Sequence, residues 1–228
     1  MKIATITGCN RGIGKGILQV LLKEGYFVYG LNKTMTSNRT KNYSQVYCQL
    51  DSVDSIASAV EKLPRKIDLL VINAAIRKFS KIEDFSNKDW LDSVSVNLNG
   101  AFFSIREILP RIKKAKGDII VIGSHAEKYA FDQGSAYCST KLALRGIVDC
   151  LIDEVRYNDV RVTYLSIGSV KNRNHHIEES WKLKPKDLGL VIHSIVSLPK
   201  KILIPYIDIR PIKPLKDKRP GIEKLQYV

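Results

Sequence analysis

Long apolar runs, acidic charge and paired cysteines are what this chain of 228 residues has little of. No run approaches the ~18 apolar residues that a membrane span needs, which excludes a helical membrane protein. Residues 2–6 already read as a strand and a glycine motif follows at once, so no secretory leader is expected. The four cysteines, Cys9, Cys48, Cys138 and Cys150, include no C-x-x-C pair, and no histidines stand at ligand spacing. That excludes a zinc module or a disulfide frame and points to free thiols in a reducing compartment. A soluble, cytoplasmic protein with no metal and no membrane partner is the expectation.

Acidic residues are the scarcer sign, 23 against 37 Lys and Arg, leaving a formal net charge of +14. Basic residues recur at Arg111–Lys116, Lys171–Arg173, Lys200–Lys201 and Lys213–Arg219. A field of one sign attracts nucleic acid, an acidic carrier protein or an anionic substrate; equally, it is what a solvated, Lys-rich surface looks like. No basic heptad, finger spacing or aromatic RNA-binding cluster accompanies the charge, so nucleic acid is not expected as a partner. With 44% hydrophobic and 26% charged residues the composition is that of a globular domain, and the length fits one. Residues 1–210 are read as that domain and 211–228 as a Pro/Lys-rich basic tail, with no repeat or linker dividing the chain.

What the chain does have begins at once. A short apolar strand, 2–6, runs into Thr7-Gly8-Cys9-Asn10-Arg11-Gly12-Ile13-Gly14 and then into a helical pattern through Ile17, Leu18, Leu21 and Leu22 that Gly25 closes. Strand, glycine turn and helix is the layout in which backbone N–H groups at a helix start hold a phosphate. Gly8 permits the turn, Gly12 and Gly14 keep side chains off a pyrophosphate, and Gly16 is read as letting the helix lie tightly on the sheet. The second strand, Tyr26–Leu31, ends at Asn32-Lys33. At such a tip a carboxylate suits the ribose 2′-OH of NAD and a cation suits the 2′-phosphate of NADP. No acid stands here, whereas Lys33 follows and Arg11 lies in the glycine loop. NADP(H) is therefore favoured over NAD(H), the other reading being two merely exposed cations.

Residues 34–45 read as loop. A third strand, 45–50, ends in Asp51, whose carboxylate either accepts from an adenine amino group or, like Ser52, caps the helix 53–63. A buried strand, 67–72, leads to Asn73-Ala74-Ala75; these small residues either let the backbone pass under a ribose or form a tight strand exit. Ser86 and Asp89 mark a helix start, and the helix 87–109 carries an apolar stripe interrupted by Asn97, a polar residue that demands a partner.

The central stretch is Ser124 to Lys141. The apolar run Ile119–Ile122 reads as a strand whose tip carries Ser124. Thirteen positions on, Tyr137-Cys138-Ser139-Thr140-Lys141 opens a helix over 136–157 and puts the phenol and the ammonium on one face. A free tyrosine titrates near pH ~10, and an adjacent cation lowers that by roughly 1–3 pH units. Such a pair trades a proton with an alcohol or ketone, and a serine hydroxyl facing it is placed to hydrogen-bond a polarised carbonyl oxygen. Cys138 is read as packing. Beyond strand 161–167 and Gly168, residues 169–184 hold Lys171, Arg173, His175, His176 and Trp181 without regular pattern, as a cover over a site would. A last helix runs from Pro185 to Pro199 and a last strand over 202–209.

Taken together these residues resemble the short-chain dehydrogenase/reductase family over nearly the whole chain. The resemblance rests on Thr7-Gly8-x-x-x-Gly12-Ile13-Gly14, Asp51, Asn73-Ala74-Ala75, Asn97 in Val-Asn-Leu-Asn-Gly, Ser124 and Tyr137-x-x-x-Lys141, in family order and spacing. It implies an α/β fold, a single doubly wound Rossmann-type domain with a seven-stranded parallel sheet and helices on both faces. It further implies a tetrad of Asn97, Ser124, Tyr137 and Lys141, cofactor contacts reaching Gly168 and Val170, and a homodimer or homotetramer built through helices 87–109 and 136–157. Residues 185–188 and 207–211 look like the NADP-dependent 3-hydroxy acid and serine dehydrogenase branch. The implied reaction transfers hydride between NADPH and a small-molecule carbonyl or secondary alcohol. Tyr137 is its acid/base, Lys141 lowers the tyrosine pKa and holds the nicotinamide ribose, Ser124 donates to the oxyanion, and Asn97 holds a relaying water. Three departures stand out: Ala75 where glycine is usual, Ile167 where proline is common, and Asn172 where a threonine often touches the carboxamide. Two other functions fit the fold: a non-catalytic NADP(H) sensor or scaffold, against which the complete tetrad speaks, and an epimerase or dehydratase, against which the short C-terminal region speaks.

Overall fold

The structure, a computed structural model, describes residues 1–37, 40–171 and 180–213. Seven strands form one sheet: β1 (Ile3–Thr7), β2 (Phe27–Asn32), β3 (Tyr43–Tyr47), β4 (Leu69–Ile72), β5 (Asp118–Ile122), β6 (Arg161–Ile167) and β7 (Tyr206–Ile209). All pair in parallel in the order β3-β2-β1-β4-β5-β6-β7. Every residue of β4, β5 and β6 is buried, as expected of central parallel strands covered on both faces, and the polar Asp118, Arg161, Thr163 and Ser166 are buried with them.

Helices supply that cover. On one face α2 (Val53–Glu61), α4 (Gly100–Ala115) and α5 (Ser135–Val155) pack their apolar stripes over the sheet, with Ile56, Ile108, Ile112, Leu144 and Val148 buried. On the other, α1 (Gly12–Lys23) and α6 (Pro185–Ser197) do so through Ile17, Leu21, Leu188 and Ile192. Gly16, expected to bring α1 close to the sheet, instead faces α6: a Cβ there would lie 2.3 Å from the carbonyl carbon of Pro185. The strand order reverses between β1 and β4, so their carboxyl ends diverge and open the crevice where such folds bind ligands.

Three elements differ from the sequence reading, each for a tertiary reason. The helix expected over 87–109 is three pieces: α3 (Asn87–Val94), a wide π turn over Ser95–Asn99, and α4. The wide turn swings Asn97 inward, where it is 2% exposed and bonded to the backbone of Ile76. β3 starts two residues before Gln45 and stops at Tyr47, because its partner β2 ends at Asn32, opposite Tyr47. The last strand keeps only Tyr206–Ile209 of 202–209, since the Arg161 guanidinium gathers the carbonyls of Leu198, Pro199 and Ile202 and holds that segment as a loop. Arg161 itself is anchored by a buried ion pair to Asp118 at 2.6 Å. Among the described residues no helix is long and apolar enough to cross a membrane.

Candidate active site

The first turn of the crevice is the glycine loop. Gly8 and Gly12 both take positive φ, +68° and +54°, a region that side chains disfavour. A Cβ on Gly14 would lie 2.1 Å from the carbonyl oxygen of Gly8, so that position admits no side chain without moving backbone. Around Gly12 the added carbon would meet nothing within 4 Å, which leaves open space over the loop. No side chain caps α1 and no acid stands in its first turn. The amides of Gly12, Ile13 and Gly14 therefore face that space with their partial positive charge available to an anion. A pyrophosphate fits this cradle.

Two side-chain amides, one buried and one half-buried, hold the loop from beneath. Asn32, expected at the ribose, is 3% exposed and turned inward: its Oδ1 accepts from the Cys9 N–H at 2.9 Å, and its Nδ2 donates to Gly30 O and to the Tyr43 hydroxyl, each at 3.2 Å. Its side chain supports the loop and is not free for a ligand, which corrects the sequence reading. Asn73 donates through Nδ2 to the carbonyls of Thr7 and Gly8 at 3.0 and 2.8 Å, while the N–H groups of Asn73 and Ala74 donate to Thr7 Oγ1. The small residues after β4 thus form a tight exit stitched to the glycine loop, with Ala75 exposed at its end. Asn10 donates to the carbonyl of Thr34.

At the far rim Lys33 and Arg11 are both exposed. The Lys33 Nζ lies 3.8 Å from an oxygen of Asp51, a loose pair that joins the tips after β2 and β3. The capping question falls to Ser52, whose hydroxyl accepts from Ser55 N–H at 3.2 Å and starts α2.

At the centre, β5 delivers Ser124 and the first turn of α5 delivers Tyr137 and Lys141. The Ser124 hydroxyl stands beside the Tyr137 phenol, where it favours the ionised form, and accepts from Ala126 N–H at 3.2 Å. Lys141 is 3% exposed; its Nζ donates to the Ile122 carbonyl at 2.7 Å and sits 5.9 Å from the Tyr137 ring centre. Burial pulls its pKa from 10.5 down to about 8, with the Glu127 charge working the other way. Burial likewise pushes the Tyr137 phenol up, opposed first by the neighbouring Ser124 hydroxyl and then by the charge of Arg77. The expectation that Lys141 acidifies the phenol is thus corrected. In the free chain its ammonium is turned to a backbone carbonyl, and desolvation outweighs every neighbouring cation. Asn97 reaches the same helix turn from below. Its Oδ1 accepts from Ile76 N–H at 2.8 Å, and its Nδ2 donates to Ile76 O at 2.9 Å and to Thr140 Oγ1 at 3.3 Å; Thr140 in turn donates to the Tyr137 carbonyl at 3.0 Å.

Several residues of this edge went unread in the sequence. Arg77, exposed beside Tyr137, follows directly from the pinned Ile76. Phe79 packs edge-on against Tyr137 and Phe131, with ring centres 6.3 and 5.6 Å apart, and a cleft of about 530 Å³ lined in part by Phe131, Gly134 and Cys138 opens beside them. Glu127, buried, bonds the hydroxyl of the fully buried Tyr164, which also donates to the Lys141 carbonyl at 3.2 Å. The Ser124-x-x-Glu127 pattern is a capping box, and that local signal was readable. His125 and Asp208 bond to each other across the tips of β5 and β7, a contact no local pattern announces. Gly168 ends β6, its N–H bonded to Ile209 O at 2.8 Å, and Val170 bridges to Leu183. Of the expected cover, Arg173, His175 and His176 lie outside the described residues, as do Asn172 and residues 214–228 of the tail.

A glycine loop at the first crossover with a Ser124, Tyr137 and Lys141 cluster two strands away is the layout of the dinucleotide-binding class of doubly wound folds. The comparisons narrow this. The sequence model described as short chain dehydrogenase matches residues 2–182. A relative described as an uncharacterized oxidoreductase of Staphylococcus aureus is 26% identical over 225 residues, covering 92% of this chain and 97% of its own. The 3-oxoacyl-[acyl-carrier-protein] reductase FabG of Buchnera aphidicola is 31% identical over 179 residues, 74% and 73% of the two chains. An alcohol dehydrogenase structure from the archaeon Thermococcus sibiricus, complexed with 5-hydroxy-NADP, matches with a TM-score of 0.84 at 23% identity, over 96% of this chain and 100% of that one. The chain belongs to the short chain dehydrogenase family of oxidoreductases.

Proposed function

We propose that the protein is an NADP(H)-dependent oxidoreductase that interconverts a carbonyl compound and its alcohol, with Tyr137 as the acid/base. The observation that carries this reading is Ser124 set beside the Tyr137 phenol, one helix turn from the buried Lys141. The amides of Gly12–Gly14 would hold the pyrophosphate, the stitched exit at Asn73–Ala75 would pass beneath the adjoining ribose, and Arg11 and Lys33 would meet a 2′-phosphate. When bound, the cofactor supplies the hydride.

The chain's own groups do the rest. Ser124 orients the substrate oxygen and donates to it as charge develops, and Tyr137 delivers the proton that completes the alcohol. The Tyr137 pKa is raised in the free chain, which suits an acid that must keep its proton until the oxygen becomes basic. Lys141 stabilises the phenolate that remains once its Nζ is within reach, and Asn97 keeps Ile76 and the helix turn in register around it. Trp90, Leu91, Phe102 and Leu142 are exposed along α3, α4 and α5 and favour a second copy of this chain as the partner on those helices; sedimentation gives the stoichiometry.

The decisive experiment is Tyr137→Phe, assayed for carbonyl-dependent NADPH oxidation and, separately, for NADPH binding. Turnover falls by at least about 10³-fold while binding persists. A phenylalanine variant that reduces carbonyls near the wild-type rate refutes the assignment, and a wild-type protein that binds NADPH but turns over no carbonyl compound favours a sensor.

A further inference from the structure

In an all-parallel sheet every strand starts at one edge, and each helix that leads into a strand ends there, opposite the crevice. At that amino edge the turn from α2 to β4 carries Lys62, Arg65 and Lys66, and the end of α4 carries Lys113, Lys114 and Lys116, all exposed. β4 and β5 are neighbours in the sheet, so the two segments adjoin: the Ile67 N–H donates to the Arg111 carbonyl at 3.3 Å, and the Asp118 N–H donates to the Asp68 carbonyl at 2.9 Å. Residues far apart in the chain thus form one basic surface.

The acids beside it are already engaged. Asp68 accepts from the Ile3 N–H at 2.7 Å, Asp118 is held by Arg161 at 2.6 Å, and Asp159 pairs with Lys116 at 2.7 Å. Within 61–66 and 111–116 the sequence has no acid but Glu61. Lys62, Arg65, Lys66, Lys113 and Lys114 form no ion pair among the described residues, nor does the half-buried Arg111 at their junction. The attraction of helix carboxyl ends for cations does not account for this, because α5 ends at the same edge on the exposed Asp153 and Glu154. Like charges held together without counter-charge repel one another, and a bound polyanion relieves that repulsion.

Neither segment has an exposed large apolar side chain. Nothing there can enter a lipid layer or form the apolar centre of a protein interface. The cations are spread along neighbouring strand starts, about 4.8 Å apart from strand to strand, which suits a row of phosphates better than a single one. We propose that this amino edge binds the phosphodiester backbone of a nucleic acid without reading its bases. Such a contact needs none of the base-reading elements that the sequence lacks. It stands apart from the carbonyl-reducing function, whose crevice lies at the opposite edge.

The test is fluorescence anisotropy of the full chain against labelled DNA duplexes of about 20 base pairs in two unrelated sequences, at KCl from about 50 to 200 mM. Both duplexes bind alike, with a log–log salt slope of about −4.5 for five neutralised phosphates, a weakening of roughly 500-fold over that range. Replacing Lys113→Ser together with Lys114→Ser brings the slope to about −2.7 and weakens binding at the lowest salt by at least about tenfold. The charge-matched pair Lys88→Ser with Lys186→Ser, at exposed positions in the first turns of α3 and α6, keeps the slope within about 0.5 of wild type. Saturating NADPH leaves the affinity unchanged. An absence of binding at the lowest salt overturns the proposal, as does an equal loss in both double variants. Displacement by NADPH overturns it too, since the polyanion would then occupy the crevice. So does adsorption to vesicles containing about 30% phosphatidylserine by a chain that binds neither duplex, because the partner would then be a lipid surface.

Discussion

Lys141 makes a demand on folding that stability measurements can read without any substrate. Its ammonium is enclosed at the floor of the site with one carbonyl for company, and its pKa falls from 10.5 to about 8. The unfolded chain therefore holds this proton up to about pH 10.5, whereas the folded chain releases it near 8. Across that window the unfolded state binds more protons, so stability rises with pH. At 1.36 kcal/mol per pH unit the burial costs about 3 kcal/mol below pH 8, and roughly 2.5 kcal/mol of this is recovered by pH 10. Lys141→Met removes the titrating group while keeping an unbranched chain of similar length. It also leaves the Ile122 carbonyl without a donor, but that offset is the same at every pH. Urea unfolding of cofactor-free wild type and variant at pH 7, 8, 9 and 10 isolates the effect, because every other titrating group is common to both. The wild type gains about 2.5 kcal/mol on the variant between pH 7 and 10, about 5–10 °C in thermal midpoint for a domain of this size. A difference that stays flat within about 0.5 kcal/mol would show that the ammonium is hydrated in the folded chain, and the argument from its burial would fall.

Two loop glycines are needed for different reasons. Gly14→Ala drives a methyl into the Gly8 carbonyl and Gly12→Ala strains a positive-φ backbone in open space, each destabilising the fold by about 1–3 kcal/mol in denaturant melts, and the Gly12 variant also loses NADPH affinity by titration. Tyr164→Phe removes the hydroxyl between Glu127 and the Lys141 carbonyl and destabilises by about 1–3 kcal/mol in denaturant melts, because the buried Glu127 side chain loses its hydroxyl donor. Lys33→Glu lowers the NADPH-to-NADH affinity ratio by about tenfold, with the loss shrinking at high salt as expected of an exposed charge.

Where structure follows from residues near in sequence, it was legible. The strand, glycine turn and α1 read correctly because φ preference and apolar period act over a few residues. β6 appears at Arg161–Ile167 as read, since a fully buried run bounded by Gly168 leaves no alternative. Tyr137 and Lys141 fall on one face because a helix turn puts them there. What stayed hidden depends on partners far along the chain. Asn32 turns inward for Cys9, 23 residues away, and for Tyr43. The break in the expected 87–109 helix serves a bond between Asn97 and Ile76, and the loss of strand over 202–205 follows from Arg161, 37–41 residues away from the carbonyls it gathers. The His125–Asp208 pair spans 83 residues. The direction of the Tyr137 pKa was misjudged for a related reason: spacing shows that a lysine is near, but not that it points at a carbonyl or that burial dominates.

These distant contacts share one location and one chemistry. The loops after β1, β4 and β5 are each tied by polar side chains, the buried Asn32 and half-buried Asn73 under the glycine loop, the buried Asn97 at Ile76, and the buried Glu127 through Tyr164 to α5. Apolar packing would tolerate small slides of these loops; directional hydrogen bonds with desolvated partners do not, because a misplaced loop leaves an amide or carboxylate unpaired. The same crevice holds groups whose demands the chain itself leaves unmet: the uncapped amides of α1 and the desolvated ammonium of Lys141. Rigid support and unmet polar demand at one edge are what preorganisation for a charged, oxygen-rich ligand requires, since binding then supplies partners to groups that folding has already desolvated and aimed.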